Sequence, residues 1–237
     1  MTNAELSNGF DTLVSSYRRF RDFDHKEPFD TIEFDEYEKS FYLTKAQEEL
    51  VISLYNGRNS SGKSFEETEE LRRYLSPLVL ESTLEPEENA GFTGVSSNSA
   101  FFTLPEDLWF ITYEALNYTG GRCDGERSME VIPITQDEYH RVKKNPFRGP
   151  TDMRALRLDL SNNVIEVVSK YNVVSYYLRY LRRPVPIVLE DLPNDLSING
   201  HDEATECELH ENLHQRILER AVLLALQSKG SKNNIES

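Results

Sequence analysis

The sequence predicts an α+β fold: N-terminal helices, a central antiparallel β-meander and a C-terminal amphipathic helix. Three observations carry this. Leu6, Phe10, Leu13, Val14, Tyr17 and Phe20 recur at helical spacing. Between Ala100 and Leu181, β-branched and aromatic residues gather in short runs separated by polar turns. After Thr205 the helical spacing returns. Helices, then strands, then a helix is the order of an α+β chain, not an alternating α/β one.

The elements follow in order. The first stripe predicts a helix over 3–23, closed by Arg18, Arg19 and Arg21, which suit a helix C-terminus. Phe29–Phe34 alternates as a short extended piece. Four pairs match the capping box, a hydroxyl residue followed three positions on by Glu or Gln: Thr44–Gln47, Ser64–Glu67, Thr135–Glu138 and Thr205–Glu208. They predict helix starts near 45, 64, 136 and 206. Gly57 caps the first of these helices, Pro77 stops the second, and the last runs to about Gln227. Ala100–Leu104, Leu108–Tyr118, Glu130–Ile134, Arg154–Leu160, Val164–Ser169 and Val173–Leu181 are the expected strands, with Ser161-Asn162-Asn163 as a tight turn. Ile187–Leu189 and Leu196–Ile198 are shorter extended pieces. We expect one domain over 1–227, with a helical part at 1–80, a polar loop or arm at 81–100 and a β-rich part with its closing helix at 101–227. Residues 228–237 are an expected disordered tail.

Composition narrows the function classes. The chain has 237 residues and a net charge of −15, which argues against coating nucleic acid with its whole surface. Two cysteines, Cys123 and Cys207, make no disulfide framework and read as free thiols. The N-terminal stretch lacks signal-peptide character, and no apolar run spans a bilayer, so no membrane partner is expected.

Two segments match enzyme motifs. Gly57-Arg58-Asn59-Ser60-Ser61-Gly62-Lys63-Ser64 fits the phosphate-binding P-loop, and Ile187-Val188-Leu189 before Glu190-Asp191 imitates its partner strand. A P-loop must follow a buried strand, yet 45–56 reads as a helix. Glu66, Glu67, Glu69 and Glu70 would also repel a triphosphate. His210-Glu211-Asn212-Leu213-His214 fits the zinc motif H-E-x-x-H, in which both histidines share a helix face and Glu211 is the base. The third ligand is missing, since Ile217 and Arg220 stand where the extended pattern needs Gly and His. Both segments are therefore expected to be structural, and no catalytic, cofactor-binding or metal-binding residue is assigned. Two basic clusters, Arg179/Arg182/Arg183 among Tyr176, Tyr177 and Tyr180, and Arg141/Lys143/Lys144/Arg148, fit subunit bridging or an acidic partner better than nucleic acid.

The stretches 43–51, 54–57, 64–66, 71–75, 182–187 and 207–222, in that order, resemble a virion structural protein of crAss-like tailed bacteriophages. The resemblance implies a connector ring, commonly twelve-fold, at the head–tail junction. The ring would contact the portal and neighbouring tail or ring proteins. DNA would pass through its lumen without specific binding. The resemblance implies no enzymatic activity and no cofactor. The readings from other classes are a P-loop nucleotide-binding protein and a zinc hydrolase.

Overall fold

The computed structural model describes residues 1–22, 33–59, 62–87, 91–120, 125, 127–161, 163–193 and 196–232, with side chains described outside 18–22 and 230–232. Cys123, most of the expected extended piece at 29–34 and the last residues of the expected tail lie outside them. The architecture is α+β, with five α-helices and a seven-stranded sheet among the described residues. None of these helices is long and apolar enough to cross a membrane. The chain divides into two compact units, Met1–Leu78 with Pro184–Ser237, and Val79–Arg183.

The first unit is helical. It holds α1 (Asn3–Asp22), α2 (Glu36–Tyr55), α3 (Glu69–Leu75) and α5 (Glu211–Lys232). The stripe read from sequence buries Leu6, Phe10 and Val14 of α1. Leu43, Ala46, Val51 and Leu54 of α2 are buried too, as are Leu213, Ile217, Ala221 and Val222 of α5. Helices α1 and α5 approach closely at Gly9, where a Cβ would lie 2.8 Å from Leu218 Cδ2. Lys39, almost fully buried on α2, places its Nζ 2.7 Å from Asp11 Oδ2 and 2.9 Å from Glu36 Oε1, tying α2 to α1.

Helix α2 starts well before the predicted position, capped by Asp35, whose carboxylate accepts from Glu38 N–H at 2.7 Å. Thr44 and Gln47 sit mid-helix and buried. Their side chains bond another segment. Thr44 Oγ1 accepts from Ile187 N at 3.0 Å and donates to Ile187 O at 3.2 Å, and Gln47 Nε2 donates to Val185 O at 2.8 Å. One turn before Thr44, Ser40 Oγ accepts from Leu189 N at 3.0 Å. Ser40, Thr44 and Gln47 recur along one helix face.

The Thr205–Glu208 pair does not cap α5 either; it holds the same segment from the other side. Thr205 Oγ1 donates to Pro186 O and accepts from Val188 N, while Glu208 Oε1 accepts from Val185 N at 2.8 Å. Backbone bonds between Val188 and Thr205, and Asn3 Nδ2 on the Val188 and Leu189 carbonyls, complete the set. Every backbone N–H and C=O from Val185 to Leu189 thus has a partner, which lets Ile187 and Val188 lie fully buried outside any sheet.

The second unit holds the sheet: β1 (Val79–Leu84), β2 (Ser99–Thr103), β3 (Leu108–Thr119), β4 (Arg127–Ile134), β5 (Arg154–Asp159), β6 (Val164–Val168) and β7 (Asn172–Arg182). Their order is β1-β7-β3-β4-β5-β6-β2. All pairs are antiparallel except β4–β5, whose parallel pairing needs the crossover that carries α4 (Gln136–Val142). Here Thr135 is a true N-cap, accepting from Glu138 N–H. Strand β1 falls at 79–84, where the sequence reading placed the helical part's end and the loop's start. The sheet curls, so that Phe102 of β2, at one edge, packs on Tyr176 of β7 at 5.2 Å between ring centres. Leu116, Ile165, Val167 and Leu178 fill the interior. Helix α5 runs to Lys232, past the predicted end at Gln227.

Replacing Thr44 by Val keeps the volume but strands both polar groups of Ile187. Urea denaturation should show a loss of about 1–3 kcal/mol, and an unchanged midpoint would contradict this reading of the ladder.

Candidate functional site

Helix α2 ends at Asn56, whose N–H bonds Ile52 O, and Gly57 turns the chain at φ +71°. So the P-loop match follows a helix, as predicted. No helix opens at Ser64: α3 begins at Glu69, and its N-cap is Thr68. A P-loop binds phosphate with backbone N–H groups. In this segment Gly62 N donates to Asn59 O at 3.0 Å, and Ser64 N to the Glu67 carboxylate at 2.6 Å. Phe65 N faces Tyr55 O at 3.5 Å. Ser64–Glu67 is therefore a turn whose Ser64 N–H is already taken by the chain's own carboxylate. Ser60 and Ser61 lie outside the described residues. The imitation partner strand is Ile187–Leu189, which belongs to the polar ladder and not to the sheet. Asp191 Oδ1 accepts from Ala204 N at 2.9 Å.

The zinc-motif segment departs from the sequence reading. Helix α5 begins at Glu211, so His210 lies before it and fails the helix test that the letters passed. The His210 ring accepts from Asn212 N at 3.3 Å and packs on Tyr74, 5.3 Å between ring centres. His214 is buried. Its Nε2 bonds Leu209 O at 2.8 Å, and its Nδ1 bonds the Met1 amino group at 2.8 Å. A carbonyl only accepts, so Nε2 carries the hydrogen and Nδ1 receives the amine's. Both ring nitrogens are committed, Nε2 by its hydrogen and Nδ1 by its lone pair. No group of three or more His, Cys, Asp or Glu with metal-binding geometry occurs among the described residues. Cys207, half-buried beside Gln47 Oε1 at 3.4 Å, has its thiol pushed up to about 11, mainly by burial. It is a poor nucleophile there.

The aromatic and basic residues on β7 do not form one patch. Strand alternation sends Tyr176 and Tyr180 inward. Tyr180 OH donates to Asp107 Oδ1 at 3.1 Å, and the Arg183 guanidinium lies 5.7 Å over the Trp109 ring. The second basic cluster, Arg141, Lys143, Lys144 and Arg148, is exposed at the end of α4 and in the turn after it.

A buried ionic group within the sheet has no counterpart in the sequence reading. Glu114 of β3 accepts from Arg157 Nη1 at 2.8 Å and from Tyr176 OH at 2.7 Å. Arg157 Nε stands 3.1 Å from Asp159 Oδ1, which reaches solvent. Burial lifts the Glu114 carboxyl above its ordinary value, against the pull of Arg157 and Tyr176, and burial likewise lifts the Tyr176 phenol. Three residues from three strands meet here, and no spacing along the chain announces that.

Two outcomes are expected. Replacing Arg157 by Met leaves the buried Glu114 charge without its partner, at about 3–5 kcal/mol near neutral pH. A carboxyl raised in the folded state favours folding at low pH and loses that contribution as pH rises through its folded value. The gap between variant and wild type should therefore narrow as pH falls from neutrality towards 4.5, the ordinary Glu value, because the buried carboxyl takes up its proton above that value. An equal gap at neutral pH and at pH 4.5 would contradict this. Titration calorimetry with Mg²⁺-ATP, and with Zn²⁺, should give no saturable micromolar binding; a nucleotide signal lost in Lys63→Ala would overturn the account of the loop.

Comparison with known proteins bears on what remains once these segments are spent on structure. The chain is 49% identical over 232 residues to "Ring protein 3" of Bacteroides phage crAss001, covering 97% of this chain and 96% of that protein. It is 31% identical over 200 residues to "Ring protein 4/5" of the same phage, covering 81% and 82%. The family model described as phage tail ring protein 3/4 matches residues 1–237, and the chain belongs to that family.

Proposed function

We propose that this chain is a non-catalytic structural subunit of a head–tail connector ring, which stacks on the portal and extends the DNA channel towards the tail. Family membership over the full chain length carries the reading. The two motif segments support it, because Gly62 N, Ser64 N and both ring nitrogens of His214 serve internal bonds. Subunits meet head to tail, and the rotation closes on twelve copies. The neighbours along the axis are the portal on one side and another ring or tail protein on the other. The net charge of −15 suits a lumen that repels DNA and lets it slide without specific contact. Assembly takes place in the host cytoplasm, and the finished ring resides in the virion.

Native mass measurement of the full chain, alone and co-expressed with its portal, tests this. The expected species is a twelve-subunit ring that co-purifies with the portal. A chain that stays monomeric in both conditions contradicts the reading.

A further inference from the structure

Phe147 is the most exposed large apolar side chain among the described residues, at 83%. It stands in the turn after α4, on the crossover between β4 and β5. That turn is held in place. Asn145 Oδ1 accepts from Phe147 N at 2.9 Å, and Asn145 O accepts from Arg148 N at 3.2 Å and Gly149 N at 2.7 Å. A Cβ at Gly149 would fall 2.8 Å from Asn145 O, so the turn closes too tightly for another residue. An aromatic ring held in solvent by a pre-ordered turn loses little entropy on docking. Around it, residues 139–151 hold four Lys and Arg and no Asp or Glu. Arg141, Lys143 and Lys144 are exposed and make no ion pair among the described residues. Arg148 alone reaches a carboxylate, that of Glu138 at 3.7 Å.

The opposite charge is concentrated in one other stretch. Residues 184–215 hold eight Asp and Glu and no Lys or Arg. Between the buried ladder and α5 this stretch doubles back on itself. Leu192 N donates to Asp202 O at 2.8 Å, Ala204 N donates to Asp191 Oδ1 at 2.9 Å, and Ile198 and His201 exchange backbone bonds. These bonds set Glu190–Leu192 alongside Asp202–Ala204. Glu190, Asp202, Glu203 and Glu206 are exposed, and their carboxylates make no hydrogen bond or ion pair among the described residues. The same stretch carries Leu196, exposed at 41%. Unpaired cations beside an exposed ring thus exist in one place, and unpaired carboxylates beside an exposed leucine in another. Neither set finds the other within one chain, so their pairing takes two copies. Like against like would repel, and the favourable contact joins unlike faces, the kind that closes a ring.

We propose that the Phe147 turn docks on the acidic stretch of a neighbouring copy of this chain, with Lys143 and Lys144 paired to Asp202 and Glu203 and the Phe147 ring packed on Leu196. This rests on the ring reading above and assigns its contact.

The test is native mass spectrometry of full-length variants under conditions where the wild type assembles. The double variants K143E/K144E and D202K/E203K change only exposed residues, and circular dichroism should show both folded. Each alone should raise the concentration for half-assembly at least about tenfold. Both defects should shrink as salt rises. All four substitutions in one chain rebuild the pairing with its signs exchanged, and should return half-assembly to near the wild-type concentration. Phe147→Ser should weaken assembly at every salt concentration. Wild-type-like assembly from any of the three defective variants, or two charge defects that the combined chain does not repair, would overturn this contact and leave the ring reading standing. A K143E/K144E chain that forms normal rings but loses binding to a DNA duplex in fluorescence anisotropy would assign the basic turn to phosphates instead, and would likewise overturn it. A wild type that never assembles, with or without portal, would overturn the ring reading itself.

Discussion

The buried segment from Val185 to Leu189 is the point on which the helical unit depends. It carries no regular secondary structure, yet Ile187 and Val188 are removed from water. That is tolerable only because nearby side chains do what a neighbouring strand would do. Ser40, Thr44 and Gln47 supply one side from α2, and Thr205 and Glu208 supply the other. Thr44 both donates to and accepts from Ile187, so one hydroxyl stands in for a strand residue. Asn3 closes the remaining carbonyls and draws α1 into the same arrangement. The segment lies shortly after the end of β7, so this ladder anchors the chain where it re-enters the helical unit. It also consumes the one apolar run that imitates a nucleotide-site strand.

The same ladder explains where the sequence misleads. A Thr followed three positions on by Gln or Glu satisfies a local helix start or a distant backbone with the same atoms. At Thr135–Glu138 the local partner wins, where α4 begins on an exposed stretch of the crossover. At Thr44–Gln47 and Thr205–Glu208 a non-local partner wins, because both pairs converge on 185–189. Periodicity is blind to that choice. Helix α1 and the strands from β2 to β7 were legible because burial within each unit's own core sets their pattern. Strand β1 was not: it is a short edge strand with exposed polar positions, set between Pro77 and a glutamate-rich stretch. The parallel β4–β5 pair was hidden for a related reason, since strand patterns do not encode direction.

The motif segments divide along the same line. The P-loop letters could be judged from sequence, because the neighbouring helix and the four glutamates are local facts. The histidine pair could not be judged fully. Its spacing is right, and only the structure shows that α5 starts one residue too late for His210 and that His214 is bonded at both ring nitrogens. The groups that matter most in the sheet, Glu114, Arg157 and Tyr176, left no local signal at all. Of the two basic clusters, only Arg141, Lys143, Lys144 and Arg148 stay together on the surface.

The chain belongs to the phage tail ring protein family, and the role proposed for it is assembly. Cryo-electron microscopy of the head–tail junction in intact virions tests that most directly. The account predicts a closed ring of this chain beneath the portal, with DNA in its lumen and no bound nucleotide or metal at Gly57–Ser64 or His210–His214. Virions that lack the chain, or a copy holding nucleotide or zinc at either segment, would contradict it.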